Sequence, residues 1–373
     1  MQTSHKLTRL LLVLAAFLIS ATAVWAQDPP NAGFAANLPS AHKPGSLLFY
    51  DIYTSNAGSV TENTRINITN SHPSRPVNVH LFFVRQLDCT IADVYLCLTA
   101  NHTFSFLASE FDPNETGFLF AVATNADGVP VSHNYLIGDL YVKSSFGTTS
   151  YYQANLGAMA FSARSLYQGN GVANVPGPFV AWPDGAPSGT FANGTKAALA
   201  YGDYRDENSL TTQHALYDPI PCRLAIDNIQ SPEDGNNTLM ILHSTQGTVE
   251  QAGAIGSLLG QVYNDAEKGF SYTLKNLRCL EARPLNDALI RIPLGFSKVI
   301  KSGRTGWMYM QSSINNAAGM PNLGLLGATI LANTKATTDK AAFNGGHHMH
   351  FQVIKANPGF AIPVFGTGAC INF

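Results

Sequence analysis

The sequence predicts an all-β protein built from two immunoglobulin-like β-sandwich domains joined by an elaborated middle connection. Three observations lead there. Charged residues make up only 12% of the chain, about half the usual fraction of roughly 25%; Gly, Asn, Thr, Ser and aromatics replace them, a balance suited to strands and tight turns. Short apolar runs alternate with polar residues between turn signals, and long helical stripes are absent from the N-terminal part. A set of landmarks also recurs: Cys89, Thr116-Gly117-Phe118 and Leu136-Ile137-Gly138 are echoed by Cys279, Thr305-Gly306-Trp307 and Leu325-Leu326-Gly327. A Phe-Ser pair, Phe104-Ser105 or Phe296-Ser297, precedes each Thr-Gly. Repetition at this scale points to duplicated architecture, and a duplicated scaffold is seldom a duplicated active site.

Residues 1–26 read as a secretion signal. Lys6 and Arg9 supply the basic region, Leu10–Ile19 the apolar core, and Val24-Trp25-Ala26 the cleavage pattern ahead of polar, Pro-rich residues. Export to a periplasm, cell envelope or the medium is expected, with a linker over 27–44 and no stable membrane span once the signal is removed.

The first sandwich is placed at 45–143. Ile66 and Ile68 share one face, with Arg65, Asn67 and Thr69 on the other. Pro73 and Pro76 turn the chain, because each fixes φ and withholds an N–H. Val77, Val79, Leu81 and Phe83 then point inward, and further strands are expected near 103–107, 118–124 and 135–142. Over 144–217, Gly169-Asn170-Gly171, Pro176-Gly177-Pro178 and Pro183-Asp184-Gly185 break the pattern repeatedly. This segment is too long for a bare linker, so strands near 151–162 and 196–201 are expected to pack on a sandwich. The second sandwich, 218–373, carries candidate strands near 238–243, 257–263, 270–274, 307–311 and 350–354, and a helix near Thr337–Phe343.

Several stretches resemble secreted bacterial β-sandwich proteins with no assigned activity: Gly45-Ser46-Leu47-Leu48, Asn63 to Asn70, Val79 to Phe83, Asp227-Asn228-Ile229 with Ser231-Pro232, and Gly303 to Trp307. The resemblance implies export and β-structure. It hands over no catalytic residues.

Composition excludes some functions. A net charge of −2 with scattered basic residues gives no electrostatic footprint for nucleic acid. No Gly-x-Ser-x-Gly, phosphate loop or His-Glu-x-x-His is present. The five cysteines of an exported chain read as structural. Cys89 and Cys97 are close enough to staple a local loop, while Cys222, Cys279 and Cys370 leave one pairing and one odd thiol.

Candidate sites are few. In Gly345-Gly346-His347-His348-Met349-His350 an extended backbone puts His348 and His350 on one face, as two ligands for zinc or copper, with a third still to be supplied. Read structurally, the same segment is a glycine turn entering a strand. Asp203, Asp206, Glu207 and Asn208, and Glu233, Asp234, Asn236 and Asn237, form acidic turns that could hold calcium, although Asp and Asn are ordinary turn residues. Asn67, Asn101, Asn114, Asn193 and Asn236 begin Asn-x-Ser/Thr sequons, read as strand composition. Tyr151, Tyr152, Trp182, Tyr201 and Tyr204 could stack on sugar or cap a core edge. The expected function is a non-enzymatic structural or interaction protein, with an envelope or extracellular protein or glycan as partner and no required cofactor. The alternatives are a ligand-, carbohydrate- or metal-binding protein, hydrolytic in one version, and an outer-membrane β-barrel. The barrel is suggested by Phe365, Ile371 and the final Phe373.

Overall fold

Among the described residues, eighteen strands, paired in the same order twice, build four antiparallel sheets. The computed structural model describes residues 38–124, 133–163, 217–218, 220–244, 247–248, 251–252, 255–286, 295–312, 324–336, 338, 342–353 and 360–361. The first sandwich contains β1 (Leu47–Thr54), β2 (Asn63–Asn70), β3 (Val77–Arg85), β4 (Ile91–Leu98), β5 (His102–Leu107), β6 (Thr116–Thr124), β7 (Leu136–Ser144), β8 (Tyr152–Gly157) and β9 (Met159–Phe161). They form a five-stranded sheet, β4-β3-β6-β1-β9, over a four-stranded one, β5-β2-β7-β8. The strands expected near 151–162 thus complete the first sandwich.

The second sandwich opens with β10 (Arg223–Gln230) and β11 (Asn236–Ser244). Short β12 (Gly247–Thr248) and β13 (Gln251–Ala252) follow, then β14 (Gly256–Asn264), β15 (Gly269–Leu277), β16 (Leu280–Pro284) and a one-turn helix, Phe296–Val299. The chain continues through β17 (Thr305–Ser312), β18 (Leu325–Asn333), β19 (Gly345–His348), β20 (His350–Val353) and short β21 (Phe360–Ala361). Its large sheets run β15-β14-β17-β10-β20 and β16-β11-β18-β19, while β13-β12-β21 form a small fifth sheet. The large sheets are open-edged and close no barrel among the described residues. The helix expected at Thr337–Phe343 falls mostly outside those residues, and Thr338, Ala342 and Phe343 are not helical.

The correspondence extends to details of register. β1 bulges against β6 between Tyr50 and Tyr53, and β10 bulges against β17 between Ile226 and Ile229. Gly117 and Gly306 sit opposite these bulges. A Cβ on Gly117 would lie 2.0 Å from the Val84 carbonyl oxygen; on Gly306 it would lie 2.4 Å from that of Tyr263. Val84 and Tyr263 hold matching positions, because Arg85 pairs with Gly117 and Asn264 with Gly306. Gly138 and Gly327 likewise abut the carbonyls of Asn67 and Ile241. The two cysteine landmarks do not correspond: Cys89 lies in the β3–β4 hairpin, whereas Cys279 lies between β15 and β16. The Phe-Ser pairs also differ, one lying in β5 and the other in the helix.

One hydrophobic core fills the first sandwich and continues onto the second through Leu239, Ile241, Leu326, Ala328 and Ile330 of β11 and β18. The five-stranded sheet of the first sandwich is therefore covered on both faces at its centre: β1 is buried along its whole length, and β3 and β6 at every residue but one. This is why alternation understates them: strands covered on both sides read as continuous apolar runs. A second core, with Met308, Met310, Val262 and Leu274, lies between the two sheets of the second sandwich.

Candidate functional site

The Gly345–His350 segment divides its histidines between two sheets. His348 ends β19, opposite Ala328 of β18, while His350 begins β20, opposite Ala225 of β10. Between them Met349 is buried and donates its N–H to the Gly327 carbonyl at 2.9 Å. The absence of a side chain on Gly327 makes room, since a Cβ there would sit 3.2 Å from the Met349 sulfur. The expected pairing of His348 with His350 as metal ligands fails on this crossing.

His348 turns into the junction between the sandwiches. Its Nδ1 lies 2.7 Å from Asp51 Oδ2 and its Nε2 lies 2.7 Å from the Gly157 carbonyl oxygen. Both neighbours are acceptors, so both ring nitrogens must donate, and the ring is an imidazolium with no lone pair left for a metal. Asp51 stands in the β1 bulge, 1% exposed, and its Oδ1 accepts from His243 Nε2 at 2.9 Å. Burial pushes the Asp51 pKa up. The charge of His348 and the hydrogen bonds from His243 and His348 outweigh it and hold the carboxyl below the usual range. Burial lowers the His348 pKa, but the Asp51 charge and hydrogen bond, with the Gly157 carbonyl, raise it overall. The His243 ring stacks on Phe118 with centroids 4.5 Å apart, and its Nδ1 is buried without a hydrogen-bond partner among the described residues. A neutral Nε2–H tautomer suits that position, because an unpaired lone pair costs less there than an unpaired charged donor.

The same junction carries a disulfide between Cys89 and Cys279. The expected Cys89–Cys97 loop is therefore corrected: the bridge links residues 190 apart, because Cys89 points across to the second sandwich and not along its own hairpin. Cys97 is disulfide-bonded as well, and Cys222 is buried.

Beside this lock opens a cleft of about 1020 Å³ lined by Lys43, Asp139, Asn155, Asp227, His347 and His350, among others. Asp227 occupies the β10 bulge as Asp51 occupies that of β1, but its side chain is 57% exposed. His350 Nε2 lies 3.2 Å from its Oδ1 and His347 Nε2 lies 3.9 Å away. His347 Nδ1 faces the His348 carbonyl at 3.0 Å, while its Nε2 meets the Thr329 hydroxyl at 3.1 Å. Thr329 is only 2% exposed, so this hydroxyl–imidazole contact joins adjacent strands out of reach of a substrate. Asp139 accepts a hydrogen bond from the Asn67 amide, and Lys43 is paired with Asp218. Among the described residues no three His, Cys, Asp or Glu side chains converge to hold a metal ion.

The remaining candidates scatter. Glu233 and Asp234 direct their oxygens to the turn at Ser302 and Gly303, at 3.1 Å from the Ser302 N–H and 2.7 Å from that of Gly303. Asn236 Oδ1 accepts from Asn333 at 2.7 Å, and the Asn237 amide donates to Ser150 at 2.7 Å. Glu233, Asp234 and Asn236 thus each spend an oxygen on a protein donor, while Asn237 Oδ1 is buried with no hydrogen-bond partner among the described residues. Asp203, Asp206, Glu207, Asn208, Trp182, Tyr201 and Tyr204 lie outside the described residues. Tyr152 is buried and Tyr151 is 43% exposed. Asp51, His243, Asp139 and Asp227 were missed from sequence. For Asp51 a signal existed, a lone carboxylate in the apolar run Leu-Leu-Phe-Tyr-Asp-Ile-Tyr, which needs a buried partner.

No protein-family model matches the chain, and no curated protein matches it. Among solved structures, the Thermotoga maritima 1070 protein aligns over 31% of this chain and 95% of its own, at 11% identity and a TM-score of 0.24. The PBSX exported protein XepA covers 72% of this chain and 82% of its own, at 8% identity and a TM-score of 0.17. The CupB6 tip adhesin from Pseudomonas aeruginosa covers 87% and 93%, at 8% and 0.10. Scores this low assign no shared overall fold.

Proposed function

We propose that this chain is an exported, non-enzymatic interaction protein of the cell envelope or extracellular space, formed by tandem duplication of one sandwich. The carrying observation is the Cys89–Cys279 bridge, which ties the two sandwiches together beside the buried Asp51–His348 ion pair. A disulfide of this kind persists in oxidising compartments, which fits the signal-like residues 1–26. Matching strand orders, bulges and close-approach glycines support the duplication. No helix among the described residues is long and apolar enough to cross a membrane.

A second reading places a small-molecule ligand in the junction cleft, because Asp139, Asp227, His347 and His350 line one space. Expression of the full chain in an export-competent bacterium separates the possibilities. Mature protein beginning at Gln27, oxidised and outside the cytoplasm, is the expected result; a reduced cytoplasmic protein retaining Met1 would refute export. Turnover of ester or glycoside substrates abolished by Asp227→Ala would replace the non-enzymatic reading with a hydrolytic one. Stoichiometric zinc or calcium in untagged protein would likewise restore a metal-dependent reading.

A further inference from the structure

The two sandwiches use the same sheet face in opposite ways. In the first, the outer face of the five-stranded sheet carries Leu47, Phe82, Val84, Phe118, Phe120 and Val122, all 1% exposed or less and turned toward the second sandwich. The shared register of β1/β6/β3 and β10/β17/β14 identifies their counterparts as Arg223, Gln261, Tyr263, Trp307, Tyr309 and Gln311. Each of these six apolar residues corresponds to an aromatic with a polar atom, an amide or a guanidinium, whereas Phe49 on the same face corresponds to Ala225. Trp307 is 39% exposed.

These side chains are fixed to one another. Tyr263 and Trp307 stack with centroids 4.9 Å apart, and Trp307 continues to Tyr309 at 6.1 Å. Gln261 Oε1 accepts hydrogen bonds from both tyrosine hydroxyls, at 2.9 Å from Tyr309. Arg223 lies over the Tyr309 ring at 5.1 Å and donates to Gln311 at 2.6 Å. Flat rings held beside ordered amides match a sugar, whose C–H faces stack on aromatics while its hydroxyls seek planar polar groups.

Next to Trp307, a groove of about 1030 Å³ is lined by Gln261, Tyr309 and Gln311 of this platform, by Lys275, Arg278 and the Arg283–Glu281 pair, and by Gln86 of the first sandwich. Among the described residues no carboxylate pairs with Lys275, Arg278 or Arg223, and Glu281 is occupied by Arg283. The groove is therefore cationic within a chain of net charge −2. Charge complementarity selects an anionic ligand, and the aromatic floor selects a sugar.

We propose that this face of the second sandwich binds a carboxylate-bearing polysaccharide of the uronic-acid type, with sugar rings on Trp307 and Tyr309 and carboxylates on Lys275 and Arg278. The site does not depend on the junction cleft. The test is calorimetric titration of the full chain with hexagalacturonate, beside neutral maltohexaose and polyglutamate, at 0.15 M salt. Hexagalacturonate should bind, and the two controls should not. Trp307→Ala and the double variant Lys275→Ala/Arg278→Ala should each weaken binding at least tenfold with unchanged melting temperature, while Lys298→Ala, a surface cation outside the groove, should have no effect. Equal binding of polyglutamate, indifferent to Trp307→Ala, would show mere polyelectrolyte attraction and overturn the proposal. Equal binding of maltohexaose, or no binding of hexagalacturonate, would also overturn it.

Discussion

Replacing Asp51 with asparagine tests the lock between the sandwiches. The variant keeps the shape and leaves an oxygen to accept from His243, but removes the charge facing the His348 imidazolium. Breaking a buried ion pair by removing one partner costs about 3–5 kcal/mol, because the other charge is left uncompensated. The retained His243 hydrogen bond argues for the lower end, about 3 kcal/mol. At roughly 2 °C per kcal/mol for a chain of this size, the melting temperature should fall by about 6 °C.

The pH dependence gives a sharper readout. Asp51 has a depressed folded pKa, so its contribution is complete above its unfolded value of about 3.9 and is lost as pH falls through the folded value. His348 has a raised folded pKa, so its contribution is complete below about 6.5 and is lost as pH rises through the folded value. Both operate together between about pH 4 and 6.5, where the wild type should be most stable. Melts followed by circular dichroism from pH 5 to 9 should show wild-type stability declining above about 6.5. In Asp51→Asn that decline should vanish or reverse, because burial then disfavours the protonated ring. A variant that melts within 1 °C of wild type, with the same slope above pH 6.5, would refute the ion pair as a stabilising element.

Other consequences are open to direct measurement. Peptide mapping without reduction should recover Cys89 joined to Cys279, and a Cys89–Cys97 peptide would contradict the structure; Cys279→Ser should destabilise by up to about 5 kcal/mol on chain-entropy grounds for a 190-residue separation. Gly306→Ala should cost about 1–3 kcal/mol by overpacking against Tyr263 and Ile300, whereas Gly345→Ala, with nothing within 4 Å, should melt like wild type. Phe118→Ala should cost about 3–5 kcal/mol in a urea titration, because it empties a fully buried site under the His243 ring.

Alternation located strands wherever one face meets solvent, as in β2, where Ile66 and Ile68 are buried and Arg65 is exposed. It missed β1 and β18, whose residues are covered on both sides. The glycine landmarks were legible because each glycine faces a neighbouring carbonyl at less than a side chain's distance, a local requirement that sequence can carry. The cysteine pairing was not legible, since it depends on how the sandwiches pack, and short separation favoured the wrong partner. The candidate site suffered most. Two-residue spacing puts His348 and His350 on one face only while the strand stays in one sheet, and the crossing at Met349 is a property of the whole fold.

The bulge aspartates stand at matching positions of the two sandwiches in different environments. A β-bulge re-aims a side chain and frees it from strict alternation, so Asp51 and Asp227 leave their sheets at matching points. Asp51 meets His243 and His348 and becomes a buried structural ion, whereas Asp227 meets solvent and the paired imidazoles of His347 and His350. The same contrast separates the sheet faces: Phe118 and Phe120 are buried, while Trp307 is 39% exposed. A sheet face buried by its neighbour is constrained by volume and charge pairing, because each change there costs stability. The outward face carries no such constraint, so substitutions there cost less stability. On the proposed reading, ligand recognition is therefore to be sought on the outward face of the second sandwich.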